Sequence, residues 1–283
     1  MTYSTEIDTV SIQVDCDSLD EQQEISFLMS RAVTEYNKVY TRDNILTKER
    51  EILFNNNRIG IFRLGINPIL NEYTRQYYSN YHIAVSFAGL KSYAEKLDNL
   101  SYGCLLSICG ILNTLNIDYK FTELDICLDI NTKIDNILVI CNSKLPRTEY
   151  HLANHSFFKG DTVYIEKFNQ HKLNNYSQRA YVYNKAKKEN LNFHLTRFEL
   201  KFQKSFFFTN ELDSITIINA LNRYTVMYFQ NKNEKDMIVD KYNSYSRVCR
   251  RDTDKMGLGR YRLKADMVKI ESFINKLISY RLY

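Results

Sequence analysis

Apolar and polar residues alternate from Val10 to Val14, the period of a half-buried strand. Residues 19–40 follow with a helix-forming composition. Two more strands are predicted at Arg58–Leu64 and Tyr81–Phe87, and a buried helix at Leu105–Leu115. The run Phe121–Ile130 has a clean period of two. It sets Leu124, Ile126, Leu128 and Ile130 on one face and Glu123, Asp125, Cys127 and Asp129 on the other. Beyond Phe208 the period lengthens. Leu212, Ile215, Ile218, Leu221, Thr225 and Tyr228 recur every three or four residues after Asp213 and Ser214, which predicts a helix. Val268, Phe273, Ile274, Leu277 and Ile278 predict an amphipathic helix over 264–281, with a loop at Met256–Arg260 between the two. The pattern implies an α+β fold: a largely antiparallel sheet with helices on one face, plus a small helical, basic C-terminal region.

The 283 residues fit one large domain or two of ordinary size, enough to bury a core without disulfide or metal staples. The division expected is a body at 1–209 and a helical basic region at 210–283. Only two prolines and eight glycines exclude collagen-like and Pro-rich chains. Six scattered cysteines, none in a C-x-x-C pair, read as reduced buried thiols and exclude zinc fingers. No apolar run reaches a membrane span, and the first residues lack the features of a signal peptide. The expectation is a cytoplasmic protein. With 22 Tyr and no Trp, no single tyrosine can be taken as functional on its own.

The net charge of +5 is unevenly spread. Residues 241–283 hold 11 basic against four acidic residues, an excess of seven, while 1–240 hold 27 basic and 29 acidic. A basic module on a near-neutral body suits contact with phosphates, which releases condensed counterions.

Three strand-like runs place reactive side chains opposite apolar ones. Besides Glu123, Asp125, Cys127 and Asp129, these are Arg179, Tyr181, Tyr183 and Lys185, and then Arg197, Glu199 and Lys201 opposite Phe198, Leu200 and Phe202. If the runs pair in one sheet, carboxylates, tyrosines and cations meet on one face. Clustered carboxylate oxygens suit Mg²⁺ or Mn²⁺, whereas a plain charged strand face would pair them with neighbouring Lys and Arg. A tyrosine beside a metal or a cation can act as nucleophile toward a phosphodiester, with Lys185 neutralising charge that develops there.

In their order, Glu-Leu-Asp-Ile-Cys-Leu-Asp (123–129), Arg-Ala-Tyr-Val-Tyr-Asn-Lys (179–185) and Thr-Arg-Phe-Glu-Leu-Lys-Phe (196–202) resemble the rolling-circle replication initiators and nicking endonucleases. The likeness extends to plasmid initiators and relaxases and to gene II-type nicking proteins of filamentous phage, and covers roughly residues 7–210. It implies that Asp125, Asp129 and Glu199 hold Mg²⁺ or Mn²⁺. It also implies that Tyr183 is the nucleophile with Tyr181 as its backup, that Lys185 assists, and that a 5′-phosphotyrosine forms. Asp129 matches an acid of the plasmid branch alone. Glu123 stands where the family has Arg, and Ser205–Phe208 lacks the tyrosine that the plasmid branch carries there, which favours the phage-like assignment. On this reading Arg179, Arg197, Arg247, Arg250, Arg251, Arg260 and Arg262 contact DNA. The partners are an origin duplex, its single strand, and a host helicase and polymerase.

Other readings stay open. A relaxase for a conjugative element would use the same chemistry. A non-catalytic DNA-binding protein would carry the acids as a charged strand face, and an RNA-binding sheet would use its aromatics for stacking. Tyr164 and Tyr176 are candidates for a second nucleophile. The histidines form no His-hydrophobic-His pair, and His151 and His155 lack a supporting Glu. No Gly-rich phosphate loop or G-x-S-x-G is present.

Overall fold

The structure is a computed structural model. It describes residues 2–31, 36–41, 47–54, 57–70, 73–88, 98–141, 150–152, 162–165, 178–208, 210, 212–237 and 259–279. The fold is α+β with largely antiparallel pairing, and the chain forms two compact units. The first takes Ile7–Asp125, Phe202–Leu212 and Phe273–Tyr283; the second takes Met1–Glu6, Ile126–Lys201 and Asp213–Ser272.

In the first unit, β1 (Tyr3–Cys16, from Ile7) lies between β5 (Tyr77–Ala88) and the start of β6 (Lys120–Ile130). Outward from β5 follow β4 (Asn57–Leu70), β3 (Thr47–Phe54) and β2 (Tyr36–Thr41). Val10, Ile12 and Val14 are fully buried and alternate with Ser11, Gln13 and Asp15, which carry polar contacts. Helices α1 (Leu19–Ser30) and α2 (Asp98–Thr114) pack on β4 and β5 and supply Ile25, Met29, Leu105, Ile108 and Leu112 to the core. The Ser18 hydroxyl caps α1 by accepting from the Glu21 N–H at 3.1 Å, and Glu21 returns a carboxylate to the Asp17 N–H at 2.6 Å. Buried Gln22 ties this helix to the sheet, donating to the carbonyls of Gly65 at 2.9 Å and His82 at 2.7 Å.

The helix predicted through residue 40 ends at Ser30, and Tyr36–Thr41 is a strand on β3. Its β-branched and aromatic residues gain more from an edge pairing than from helix propensity.

In the second unit the sheet runs from the end of β6 through β11 (Thr196–Gln203, to Lys201) and β10 (Gln178–Asn184) to β9 (Thr162–Ile165) and β8 (Tyr150–Leu152). Pairings β8–β9 and β9–β10 are antiparallel. A separate three-stranded sheet joins β7 (Ile137–Cys141), β12 (Tyr224–Tyr228) and β13 (Arg262–Leu263), with β12 central. The helix predicted across 212–228 therefore stops early. Asp213 caps α5 (Ser214–Leu221) by accepting from the Thr216 N–H at 2.7 Å, and Tyr-Thr-Val-Met-Tyr then pairs with Ile137–Cys141. Short helices α3 (Lys185–Glu189) and α4 (Lys204–Phe207) follow β10 and β11 directly, and α6 (Met267–Ser279) matches the predicted last helix. No helix among the described residues is long and apolar enough to cross a membrane.

Candidate active site

Strand β11 lies between β6 and β10, which brings Glu199 to Tyr181 and Tyr183 and Arg197 to Asp129, inside the protein rather than on an open face. Tyr181 and Tyr183, two apart on β10, share a face. Both phenols donate to the one carboxylate of Glu199 on β11: Tyr181 to Oε1, and Tyr183 to Oε2 at 3.0 Å. Glu199 is 4% exposed, Tyr183 6% and Tyr181 9%. The two rings stack at 5.9 Å and 29°, and the Lys188 ammonium lies 5.0 Å from the centre of the Tyr183 ring. A buried carboxylate is tolerable only when hydrogen-bonded, and donors to a charged acceptor contribute about 1.5–3 kcal/mol each.

Two residues before Glu199, Arg197 grips Asp129 of β6 with both ends of its guanidinium. Nε reaches Oδ1 at 2.6 Å and Nη2 reaches Oδ2 at 2.7 Å. Both side chains are enclosed. Thr196 fixes the start of the strand, its hydroxyl donating to the Thr132 carbonyl at 2.8 Å.

This arrangement reassigns several expected roles. Among the described residues no three His, Cys, Asp or Glu side chains form a group that could hold a metal ion. Asp129 has both oxygens on Arg197, and Glu199 has both on tyrosines, so these donors as arranged do not fit a three-acid Mg²⁺ or Mn²⁺ site. Asp125 is buried and belongs to the first unit, where Glu123 accepts from the Ser11 hydroxyl at 3.2 Å. Arg197 is 0% exposed, enclosed away from any DNA phosphate. Lys185 opens α3 instead of continuing the strand and pairs with Glu189 one turn on.

Lys188, one helical turn beyond Lys185, is the cation over Tyr183, a neighbour that strand periodicity could not show. Its signal was the Asn184 side chain, which caps α3 by accepting from the Lys187 N–H at 2.9 Å. Arg179 is half-exposed, and Arg260 and Arg262 are exposed. Arg247, Arg250, Arg251, Tyr176 and His155 lie outside the described residues, and the side chains of Tyr164 and His151 do too.

No family model matches the sequence, nor does any curated protein. A solved structure is similar along the whole chain. It is that of the rolling circle replication initiator protein from Geobacillus stearothermophilus, with 12% identity and a TM-score of 0.42, covering 100% of this chain and 99% of that one.

Chemically, the tyrosine–glutamate cluster is a phenol held against a base. Phenol and carboxylate differ by about six pKa units, so moving the proton fully before any bond forms costs about 8 kcal/mol. A carboxylate in this position can accept a phenol proton in step with a reaction at the phenol oxygen, not ahead of it.

Proposed function

We propose that this chain is a DNA nicking and strand-transfer enzyme of the kind that starts rolling-circle replication, with Tyr183 as nucleophile and Glu199 as its base. The observation that supports it most is the pair of tyrosine hydroxyls on one buried carboxylate. In the proposed step the Tyr183 Oη–P bond forms and the P–O3′ bond breaks. Glu199 accepts the phenol proton and returns it to the departing 3′ oxygen. Bonds and protons balance, and the products are a 5′-phosphotyrosine and a free 3′-hydroxyl. Because Tyr183 is buried, the strand has to reach its hydroxyl while that hydroxyl still donates to Glu199, and Tyr181 keeps the carboxylate oriented. Lys188 supplies positive charge beside the phosphate. Arg247, Arg250 and Arg251 of the basic region bind the origin duplex, Arg260 and Arg262 contact DNA phosphates, and Arg179 contacts the strand at the site.

The test uses 5′- and 3′-labelled single strands from the protein's own genetic element, with Mn²⁺ and with EDTA. A denaturation-resistant adduct that keeps the 3′ label is expected. Tyr183→Phe should bind DNA and lose the adduct, while Tyr181→Phe retains it. An adduct that survives Tyr183→Phe and disappears in Tyr181→Phe moves the nucleophile by two residues. The burial of both hydroxyls favours a second reading, a DNA-binding protein whose tyrosine–glutamate cluster is structural. That reading predicts DNA binding without an adduct from any strand.

A further inference from the structure

We infer that the second unit carries a separate site for single-stranded DNA, which holds one unstacked base in a cavity and the neighbouring phosphates on Arg260, Arg262 and Lys264. The inference rests on the reading of this chain as a DNA-handling protein. A cavity of about 260 Å³ opens beside β12 and β13. Phe198 and Tyr224 line it with rings 5.8 Å apart and tilted by 49°, and Leu128 and Val226 complete its apolar wall. Asn222 offers an amide that can both donate and accept. Arg262 and Lys264 are the charged residues of the lining, and none of its described residues is acidic. An apolar, partly aromatic recess with two cations and no anion suits an aromatic ring attached to a phosphate.

Size narrows the ligand. Drug-sized and cofactor ligands take sites of about 300–1,000 Å³, and this cavity lies just below that range, suited to one base. The row of cations argues for a strand over a free nucleotide. Exposure alternates from Arg260 to Asp266, turning Arg260, Arg262 and Lys264 to solvent. Arg262 and Leu263 also line an adjoining cavity of about 440 Å³, together with Arg260, Tyr228 and Tyr261. Its one acid, Glu234, accepts from the Tyr261 hydroxyl at 2.9 Å and from the Gln230 N–H. Three cations spanning two cavities exceed what one phosphate needs and match successive phosphates of a polymer. Phe198 points to the face of β11 opposite Glu199, so this strand is held away from the nucleophile.

Fluorescence anisotropy with labelled single-stranded oligothymidylate, the same sequence as RNA, a duplex, and free thymidine monophosphate tests this. Ala265→Phe, which fills the cavity from a half-buried position, should weaken single-strand binding about fivefold or more and leave duplex binding unchanged. Arg262→Ala with Lys264→Ala should reduce the salt slope for the single strand by about 1.4, roughly 0.7 per lost phosphate contact. With 5-iodouracil in the oligomer, photo-crosslinks should map to peptides containing Phe198 or Tyr224. Unchanged single-strand binding in both variants overturns the site, as do crosslinks elsewhere in the chain. Tighter binding of the RNA, or equal competition by the mononucleotide, overturns the assignment to a DNA strand. A wild-type protein that binds no DNA at all overturns the broader DNA-handling reading instead.

Discussion

Arg197 and Asp129 are enclosed together, each holding the other's charge. Removing one partner of such a pair strands a charge in a low-dielectric interior. Arg197→Met is therefore expected to lose about 3–5 kcal/mol of stability, while Arg197→Met with Asp129→Leu recovers much of it. Urea unfolding of the two variants checks this; a single variant as stable as wild type would show that the pair contributes nothing. Two thiols behave similarly. Burial pushes Cys16 up to about 12, reinforced by Glu21, Asp15 and Asp17, and pushes Cys109 up to about 11. The fold thus favours the neutral thiols. Their contribution is complete below the ordinary thiol value of 9.0 and is lost as pH rises from there toward 11 or 12. Iodoacetamide at pH 8 should leave both unmodified in the folded protein and label both in urea. At this scale the sequence marked Tyr181, Tyr183, Glu199, Asp129 and Arg197 as polar side chains on strand faces, and the structure pairs them in two buried clusters. The sequence could not show that the carboxylates would be taken up by protein donors, because that depends on which strands are neighbours.

At the scale of elements, two glycines should respond in opposite ways to the same substitution. Gly65 on β4 pairs with His82 on β5, and a Cβ there would lie 2.2 Å from the imidazole Cε1. Gly103 on α2 is exposed, with nothing within 4 Å of its Cβ position. Gly65→Ala should destabilise by about 1–3 kcal/mol, and Gly103→Ala should stabilise by about 0.5–1 kcal/mol. Thermal unfolding reads both signs. His82 adds a pH dependence, since burial and then Lys204 lower its pKa, with Asp15 opposing them. A histidine kept neutral in the fold contributes stability above the ordinary value of 6.5 and loses it as pH falls. His82→Gln should flatten the stability profile between pH 7 and pH 5. Strands β1, β4, β5, β6, β10 and β11 were legible from the period of two because each buries one apolar row. Strand β12 was not, since its apolar spacing continued the helical one and only its partners Ile137–Cys141 decide for a strand.

For the whole molecule, the proposed function makes charge placement decide how the chain meets DNA. The excess of seven positive charges in residues 241–283 should give duplex binding that falls steeply with salt. Replacing Arg247, Arg250 and Arg251 together with Ala should reduce the logarithmic salt slope by about 2.7, at about 0.9 per phosphate contact. A slope equal to wild type would remove these arginines from the interface. The same triple variant should leave adduct formation on a short single strand intact, which separates the proposed duplex capture from the proposed chemistry at Tyr183.

The sequence by itself determined the fold class and which strands carry tyrosines, carboxylates and cations opposite their apolar rows. Both depend on short periods and residue types that the chain carries locally. The tertiary structure decided the rest: it placed β11 between β6 and β10, enclosed the face expected to be open, and turned Lys185 aside in favour of Lys188. It also brought Phe198, Tyr224 and Arg262 to one cavity from segments far apart in the chain. Strand order and burial of the second face are properties of long-range pairing, and no local pattern encodes them.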